Sequence, residues 1–134
     1  MNILILIAAI ISFLTIGLHL FGGGPEIMDP INDSELSAYL KAITFIIWHA
    51  VTVILIINSL ALFHAGFKDK YRKPIIIITS AQYLLWAGLF VFYGITRLND
   101  LWPMPQWIIF TIVPMLAIIG FLRSQKQAAK KEVQ

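Results

Sequence analysis

The sequence predicts an all-α integral membrane protein, a four-transmembrane-helix bundle with both termini in the cytoplasm. Its 134 residues are 59% hydrophobic and 13% charged, with a mean hydropathy of +0.83. Soluble domains are roughly 45–50% apolar and 25% charged, so a soluble chain of this size could not bury its apolar surface. Four apolar segments are each long enough to cross a bilayer core, which takes about 20 helical residues. The basic residues cluster where an even number of spans places them on one side.

The first predicted span covers residues 3–21 and carries no formal charge. It lacks a basic leading region and a suitable cleavage site, so we expect a retained helix and not a signal peptide. The second apolar segment starts at about residue 36, with Asp33 or Ser34 as its expected N-cap. Counting about 20 residues back from its sharp end at residue 67 places the span itself at 47–67. Residues 36–46 are then expected to project from the membrane or lie in its interface.

The third predicted span, residues 75–95, starts directly after Pro74, which the first turn of a helix tolerates. The fourth, residues 106–122, is entered through Trp102–Trp107, where two prolines favour an extended approach and two tryptophans suit the interface. Pro114 lies inside this span and is expected to kink it. The transmembrane domain therefore covers residues 1–122. Residues 123–134 are predicted to form a basic cytoplasmic tail, frayed at first and then disordered.

The basic residues set the predicted orientation. Residues 68–73 and the tail carry most of the lysine and arginine, whereas the first loop is acidic. By the positive-inside rule, both termini and the 68–73 loop lie in the cytoplasm. The net charge of +3 comes from these clusters, so no nucleic-acid partner is predicted. The chain has no cysteine, which excludes disulfides, thiolate metal ligands and cysteine nucleophiles.

Several side chains are predicted to share one layer near the outer surface. At 1.5 Å per residue, they lie about 22–27 Å from the cytoplasmic ends of their spans. They are His19, His49, Tyr93 and Trp107. Ionisable groups inside spans are candidate functional residues, and two histidines on different helices at one depth are unusual.

The third span adds a polar and aromatic stripe that rises toward the same layer. Its members fall within about 60° of one helix face. They are Gln82, Trp86, Tyr93 and Arg97. Such stripes more often mediate packing between helices than chemistry. The convergence of this stripe with the two histidines on one layer nevertheless predicts a candidate ligand site there.

Three glycines follow the first of these histidines: Gly22, Gly23 and Gly24. Glycines leave backbone N–H and C=O groups open and permit positive φ, and three are more than a helix C-cap needs. Pro25 stiffens the exit and directs Glu26 back toward His19. We expect this stretch to form the open wall of a shallow, outward-facing site with Glu26 at its rim.

Four stretches carry a resemblance over most of the chain: His19–Glu26, Trp48–Thr52, Tyr93-Gly94 and Trp102–Trp107. Together they resemble uncharacterised small bacterial four-span membrane proteins. The resemblance implies a bacterial inner membrane and four helices. It implies no activity and assigns no functional residues.

The predicted site allows several functions. His19, His49 and Glu26 offer ligands for a divalent transition metal. Alternatively, Arg97 and the glycine N–H groups can hold a small polar or anionic ligand. Either site would serve binding or transport, and transport would favour a homo-oligomer because four helices alone form a narrow conduit. The ligand itself is not identified by the sequence.

Other classes of protein fit the same pattern. A metal with an open coordination position would suit an integral membrane enzyme. The two histidines would suit bis-histidine ligation of haem b, and the layer would suit a quinone-binding redox protein. In an accessory or assembly subunit, the polar layer would only hold the helices together.

Overall fold

The computed structural model describes residues 1–132, and every regular element in that range is helical. The elements are α1 (Ile3–Gly17), two π-helical turns (Leu18–Gly22 and Gly24–Met28), α2 (Asp29–Asp33), α3 (Ala38–Phe67), α4 (Arg72–Tyr93), a third π-helical turn (Gly94–Leu98) and α5 (Gln106–Glu132). Four helical stretches are long and apolar enough to cross a membrane: Ile3–Asp33, Ala38–Phe67, Arg72–Leu98 and Gln106–Lys130. The predicted all-α class with four such helices is therefore confirmed.

The glycine run does not break the first long helix, so the expected open backbone was wrong. Gly22 ends one π-helical turn and Gly24 starts the next, while Gly23 between them is right-handed helical. No glycine among residues 1–132 has a positive φ. A π-helical turn contains an extra residue, which lets the helix continue while its faces rotate. Pro25 fits because it lies in the first turn of the second π-helical segment, where its missing N–H costs little.

The start of α3 differs from the prediction for a local reason. Asp29–Asp33 forms its own short helix, and the Ser34 hydroxyl donates to the Ile31 carbonyl at the end of that helix. Ser34 is thereby used as a C-terminal cap. The N-cap of α3 is Ser37, whose hydroxyl accepts from the Leu40 N–H.

The other boundaries also extend beyond the predicted spans. α4 starts at Arg72, two residues before Pro74. α5 continues to Glu132, so residues 123–132 are helical. Glutamine, alanine and lysine dominate that stretch and are good helix formers. The predicted disorder of the last residues concerns Val133 and Gln134, which lie outside the described residues.

One end of the bundle is tied together around the first residues. The Asn2 side chain caps α1 by accepting from the Ile5 N–H, and its amide group donates to the Gly120 carbonyl at 2.7 Å. The Asn2 backbone N–H donates to the Gly66 carbonyl at 2.8 Å. Arg72, 7% exposed, donates to the Ala65 carbonyl near the end of α3. The start of α1, the end of α3 and part of α5 thus meet at one level, called here the proximal end.

The four long helices pack as a ring in which α1 lies between α3 and α5, and α5 lies between α1 and α4. The α3–α4 pair is the least extensively packed of the four neighbours. On α3 the buried residues all fall between Thr52 and Gly66, and none falls between residues 38 and 51. The helices are therefore tightly packed in the proximal half, while the distal half of α3 stands away from the core.

Candidate functional site

A cavity of about 740 Å³ occupies the distal half of the bundle, where α3 leaves the core. All four long helices and the residues before α5 contribute to it. The lining includes polar and aromatic side chains, three aliphatic ones, a methionine and two glycines: Thr15, His19, Gly22, Gly23, Glu26, Met28, Thr44, Ile47, Trp48, Leu55, Trp86, Leu89, Tyr93, Gln106 and Phe110. The remaining lining residues are apolar. The cavity therefore has a largely hydrocarbon wall with a few polar groups.

The deep end of the cavity lies near the middle of the bundle. Thr15, Leu55 and Phe110 line it there, each about 18 Å of helix from the proximal end of its predicted span. The Phe110 ring lies 5.3 Å from the Trp86 ring, edge to face, and 5.7 Å from the Tyr83 ring, stacked. Phe110 and Trp86 thus give the deep end of the cavity an aromatic lining.

A polar layer lies in the bundle but does not line the cavity. The Ser12 hydroxyl is 2.7 Å from the Ser59 hydroxyl and 2.5 Å from the Tyr83 hydroxyl, and all three residues are buried. Asn58 donates to the Gln82 side-chain oxygen at 3.0 Å. These groups satisfy one another. Gln82, which the sequence placed in the ligand site, therefore serves as a link between α3 and α4.

His19 and Trp48 form the contact that holds the distal half of α3 to the first helix. Their rings stack with centroids 3.9 Å apart and planes 19° apart. The His19 Nε2–H donates to the Trp48 carbonyl at 3.2 Å, since a carbonyl can only accept. His19, which the sequence suggested as a metal ligand, lines the cavity. Trp48 was not among the predicted site residues, although its indole lines the cavity as well.

Gly23 is required by the close approach of this tryptophan. A Cβ atom at Gly23 would lie 2.9 Å from Trp48 Cη2. Cβ atoms at Gly22 and Gly24 would meet nothing within 4 Å. Gly22 and Gly23 line the cavity and Gly24 does not. Among the three glycines, Gly23 thus acts through close helix packing.

Glu26 and Met28 line the distal end of the cavity from the second π-helical turn. Glu26 is exposed, as expected of a rim residue. Met28 is only 5% exposed and covers the cavity from this side. The sequence did not predict Met28 as a site residue, because the direction of its side chain depends on how the π-helical turns rotate the chain.

The structure does not assemble the predicted metal site from His19, His49 and Glu26. Among residues 1–130, no group of three or more His, Cys, Asp or Glu side chains is placed to hold a metal ion. His49 is exposed and does not line the cavity. The His19 Nε2 atom is already bonded to Trp48. The two histidines therefore do not present a paired set of nitrogens to the cavity, as bis-histidine haem ligation requires.

The stripe predicted on the third span is only partly realised. Trp86 and Tyr93 line the cavity, as expected. Arg97 is exposed and does not line it. The third π-helical turn starts at Gly94, directly after Tyr93, so the helical register that aligned Arg97 with Tyr93 is lost. No lysine or arginine among residues 1–130 lines the cavity, which disfavours a small anion as its ligand.

Gln106, the first residue of α5, is a cavity residue that the sequence did not single out. Its Oε1 atom is buried and has no hydrogen-bond partner among the described residues. A buried amide oxygen without a partner is costly, so a donor from water or a ligand would stabilise this site. Gln106 starts the helix directly after the segment with Pro103 and Pro105. Only the packing shows that its Oε1 atom lacks a hydrogen-bond partner.

The fold and site together describe a chain with four membrane-length helices and a mainly apolar pocket in one half of the bundle. No family model, no curated protein and no solved structure matches this chain. The chemistry of the site therefore rests on its own geometry.

Proposed function

We propose that the chain is a multi-pass protein of a bacterial inner membrane, with both termini in the cytoplasm and a pocket in its outward half that binds a small, largely apolar molecule. The positive charges of the 68–73 loop and of α5 after residue 122 support this orientation. The bacterial membrane is proposed from the resemblance of the sequence. In this orientation the distal half faces outward.

The observation that carries the binding proposal is the cavity itself. Its volume of about 740 Å³ falls in the range of roughly 300–1,000 Å³ that is typical of small-molecule sites. Such sites combine apolar walls with a few polar groups, here Glu26, His19 and Gln106. A cavity of this size without an occupant would also forfeit packing that stabilises the bundle.

Binding accounts for the geometry better than conduction does. The cavity lining ends at Thr15, Leu55, Trp86 and Phe110, and the polar groups of the Ser12 layer are engaged with one another. A transport path would need polar groups that continue toward the proximal end. The aromatic deep end therefore supports a pocket and not a conduit.

The proposal is tested by filling the pocket. Leu89 lines the cavity and is 55% exposed, so Leu89→Trp adds bulk inside it without disturbing the buried core. Leu85, 69% exposed on the same helix and outside the lining, provides the matched control Leu85→Trp. Each protein is purified from membranes and analysed by native mass spectrometry.

We expect the wild type and Leu85→Trp to carry a co-purified organic molecule, and Leu89→Trp to have lost it. A wild-type protein without any bound molecule would contradict the proposal. Equal occupancy in all three proteins would contradict it as well, because the bound molecule would then lie elsewhere.

A further inference from the structure

The two ends of the pocket of the proposed function differ in polarity, and this difference specifies the class of its ligand. Its deep end is made by Leu55, Trp86 and Phe110, which are apolar. Thr15 also lies there, but its hydroxyl donates to the Ile11 carbonyl at 2.8 Å and is therefore satisfied within its own helix. The deep end consequently offers a ligand only apolar contacts.

The distal end of the pocket is polar: Glu26 and Gln106 present free hydrogen-bond acceptors there, and the Tyr93 hydroxyl can both donate and accept. The Glu26 carboxylate forms no ion pair among residues 1–130. The Gln106 Oε1 atom has no partner among the described residues. Two other polar side chains at this end are already engaged: Thr44 donates to the Leu40 carbonyl and His19 donates to the Trp48 carbonyl. A ligand head group that donates hydrogen bonds or carries positive charge would therefore complement this end.

The length of the pocket matches one leaflet of a bilayer. From Thr44 to Leu55 the lining residues of α3 extend over about 16 Å at 1.5 Å per residue. Half of a hydrocarbon core of about 30 Å is about 15 Å. An alkyl or isoprenoid chain that lies along the helices fits this dimension.

The pocket is open toward the lipid side. Ile47 on α3 and Leu89 on α4 both line it, yet they are 60% and 55% exposed. These residues lie on the least extensively packed pair of neighbouring helices. Toward the aqueous side, Met28 is nearly buried and covers the pocket. A ligand dissolved in the membrane therefore has a more direct route to the cavity than one dissolved in water.

From these observations, and resting on the proposed function, we propose that the ligand is a chain-bearing amphipath of the outer leaflet whose head donates hydrogen bonds, such as an amine or an alcohol. It enters between the distal halves of α3 and α4. Its chain points to Phe110 and its head lies between Glu26 and Gln106.

Three 16-carbon probes that differ only in their head test this assignment: an amine, an alcohol and a sulfonate, each with a photoreactive diazirine at the end of the chain. The purified full-length protein is reconstituted in nanodiscs of zwitterionic lipid, irradiated with each probe, and mapped by peptide mass spectrometry. The same measurement is made on Glu26→Gln and on the control Asp29→Asn. Asp29 is the next acidic residue, is exposed and does not line the cavity.

We expect adducts on Leu55, Trp86 or Phe110. An exposed ion pair contributes up to about 1 kcal/mol, so we expect the amine to give up to about fivefold more adduct than the sulfonate. Glu26→Gln should remove this preference and Asp29→Asn should keep it. Equal labelling by all three heads, chain-end adducts at the distal rim, or equal effects of the two substitutions would overturn the assignment and leave the proposed function standing. No cavity adduct from any probe would overturn both.

Discussion

The imidazole of His19 lies face to face with the indole of Trp48, with ring centroids 3.9 Å apart, and donates its Nε2–H to the carbonyl of the same tryptophan. This double contact joins the first helix to the distal half of α3, where no residue between 38 and 51 is buried. His19, which the sequence suggests as a metal ligand, therefore acts as a packing contact between two helices. The shape of the pocket depends on it.

His19→Ala should lower the stability of the protein by about 1–2 kcal/mol, because it removes an aromatic stack and one hydrogen bond. His19→Phe should recover part of this loss, since the ring stack is kept and only the hydrogen bond is lost. Thermal unfolding of the three proteins in one detergent measures the difference. His49→Ala is the matched control, because His49 is exposed and lies outside the pocket. Equal losses for His19→Ala and His49→Ala would contradict the role of the stack.

Gly23→Ala should destabilise the protein by about 1 kcal/mol, because its Cβ would lie 2.9 Å from Trp48 Cη2. Gly22→Ala should be neutral or slightly stabilising, since that position is open and helical and alanine favours helices. Unfolding midpoints of the two variants decide this. In a Trp48→Ala background the cost of Gly23→Ala should disappear. A persistent cost there would place the clash elsewhere.

Tyr83→Phe should cost about 1 kcal/mol, because it removes the buried hydroxyl that bonds Ser12. Ser12 would keep its bond to Ser59, which limits the loss. Tyr39→Phe is the control, as Tyr39 is 72% exposed at the distal end of α3. Both variants are compared with the wild type by thermal unfolding. If Tyr83→Phe were as stable as Tyr39→Phe, the polar layer would contribute little to holding the helices together.

The proposed orientation can be tested cleanly because the chain has no cysteine. Glu35→Cys lies in the first loop and Lys70→Cys in the loop between α3 and α4, at opposite ends of the bundle. A membrane-impermeant maleimide should label Glu35→Cys on intact cells and Lys70→Cys only after the membrane is opened. The reverse pattern would place the pocket on the cytoplasmic side. Labelling of both in intact cells would exclude a four-span topology with these loops on opposite sides.

The depth of most site residues followed from the sequence, but their direction did not. His49 directly follows Trp48, so the two residues lie at nearly the same level of the bundle. Neighbouring residues on an α-helix point about 100° apart, and only one of the two can face the same partner. Packing turned Trp48 inward against His19 and left His49 exposed. Because the two side chains point in different directions, His49 does not face His19 as the predicted pair requires.

The ends of the helices show the same limit. Gly22–Gly24 has the composition of a break, yet the chain continues through it in π-helical turns. The reason lies in the tertiary structure, where the absence of a side chain at Gly23 lets the Trp48 indole approach. Composition alone cannot separate a glycine that ends a helix from one that admits a neighbour.

The sequence by itself determined that this chain forms four helices long and apolar enough to cross a membrane. That property adds up residue by residue along each segment, because every backbone polar group in lipid must be bonded within its own helix. Only the tertiary structure decided which faces meet, that α3 packs less extensively against α4 than the other neighbouring helices pack together, and that Trp48, Met28 and Gln106 join His19 and Glu26 around a cavity. Those outcomes depend on helix order and on the rotation that π-helical turns introduce, and neither can be predicted from the sequence of a single segment.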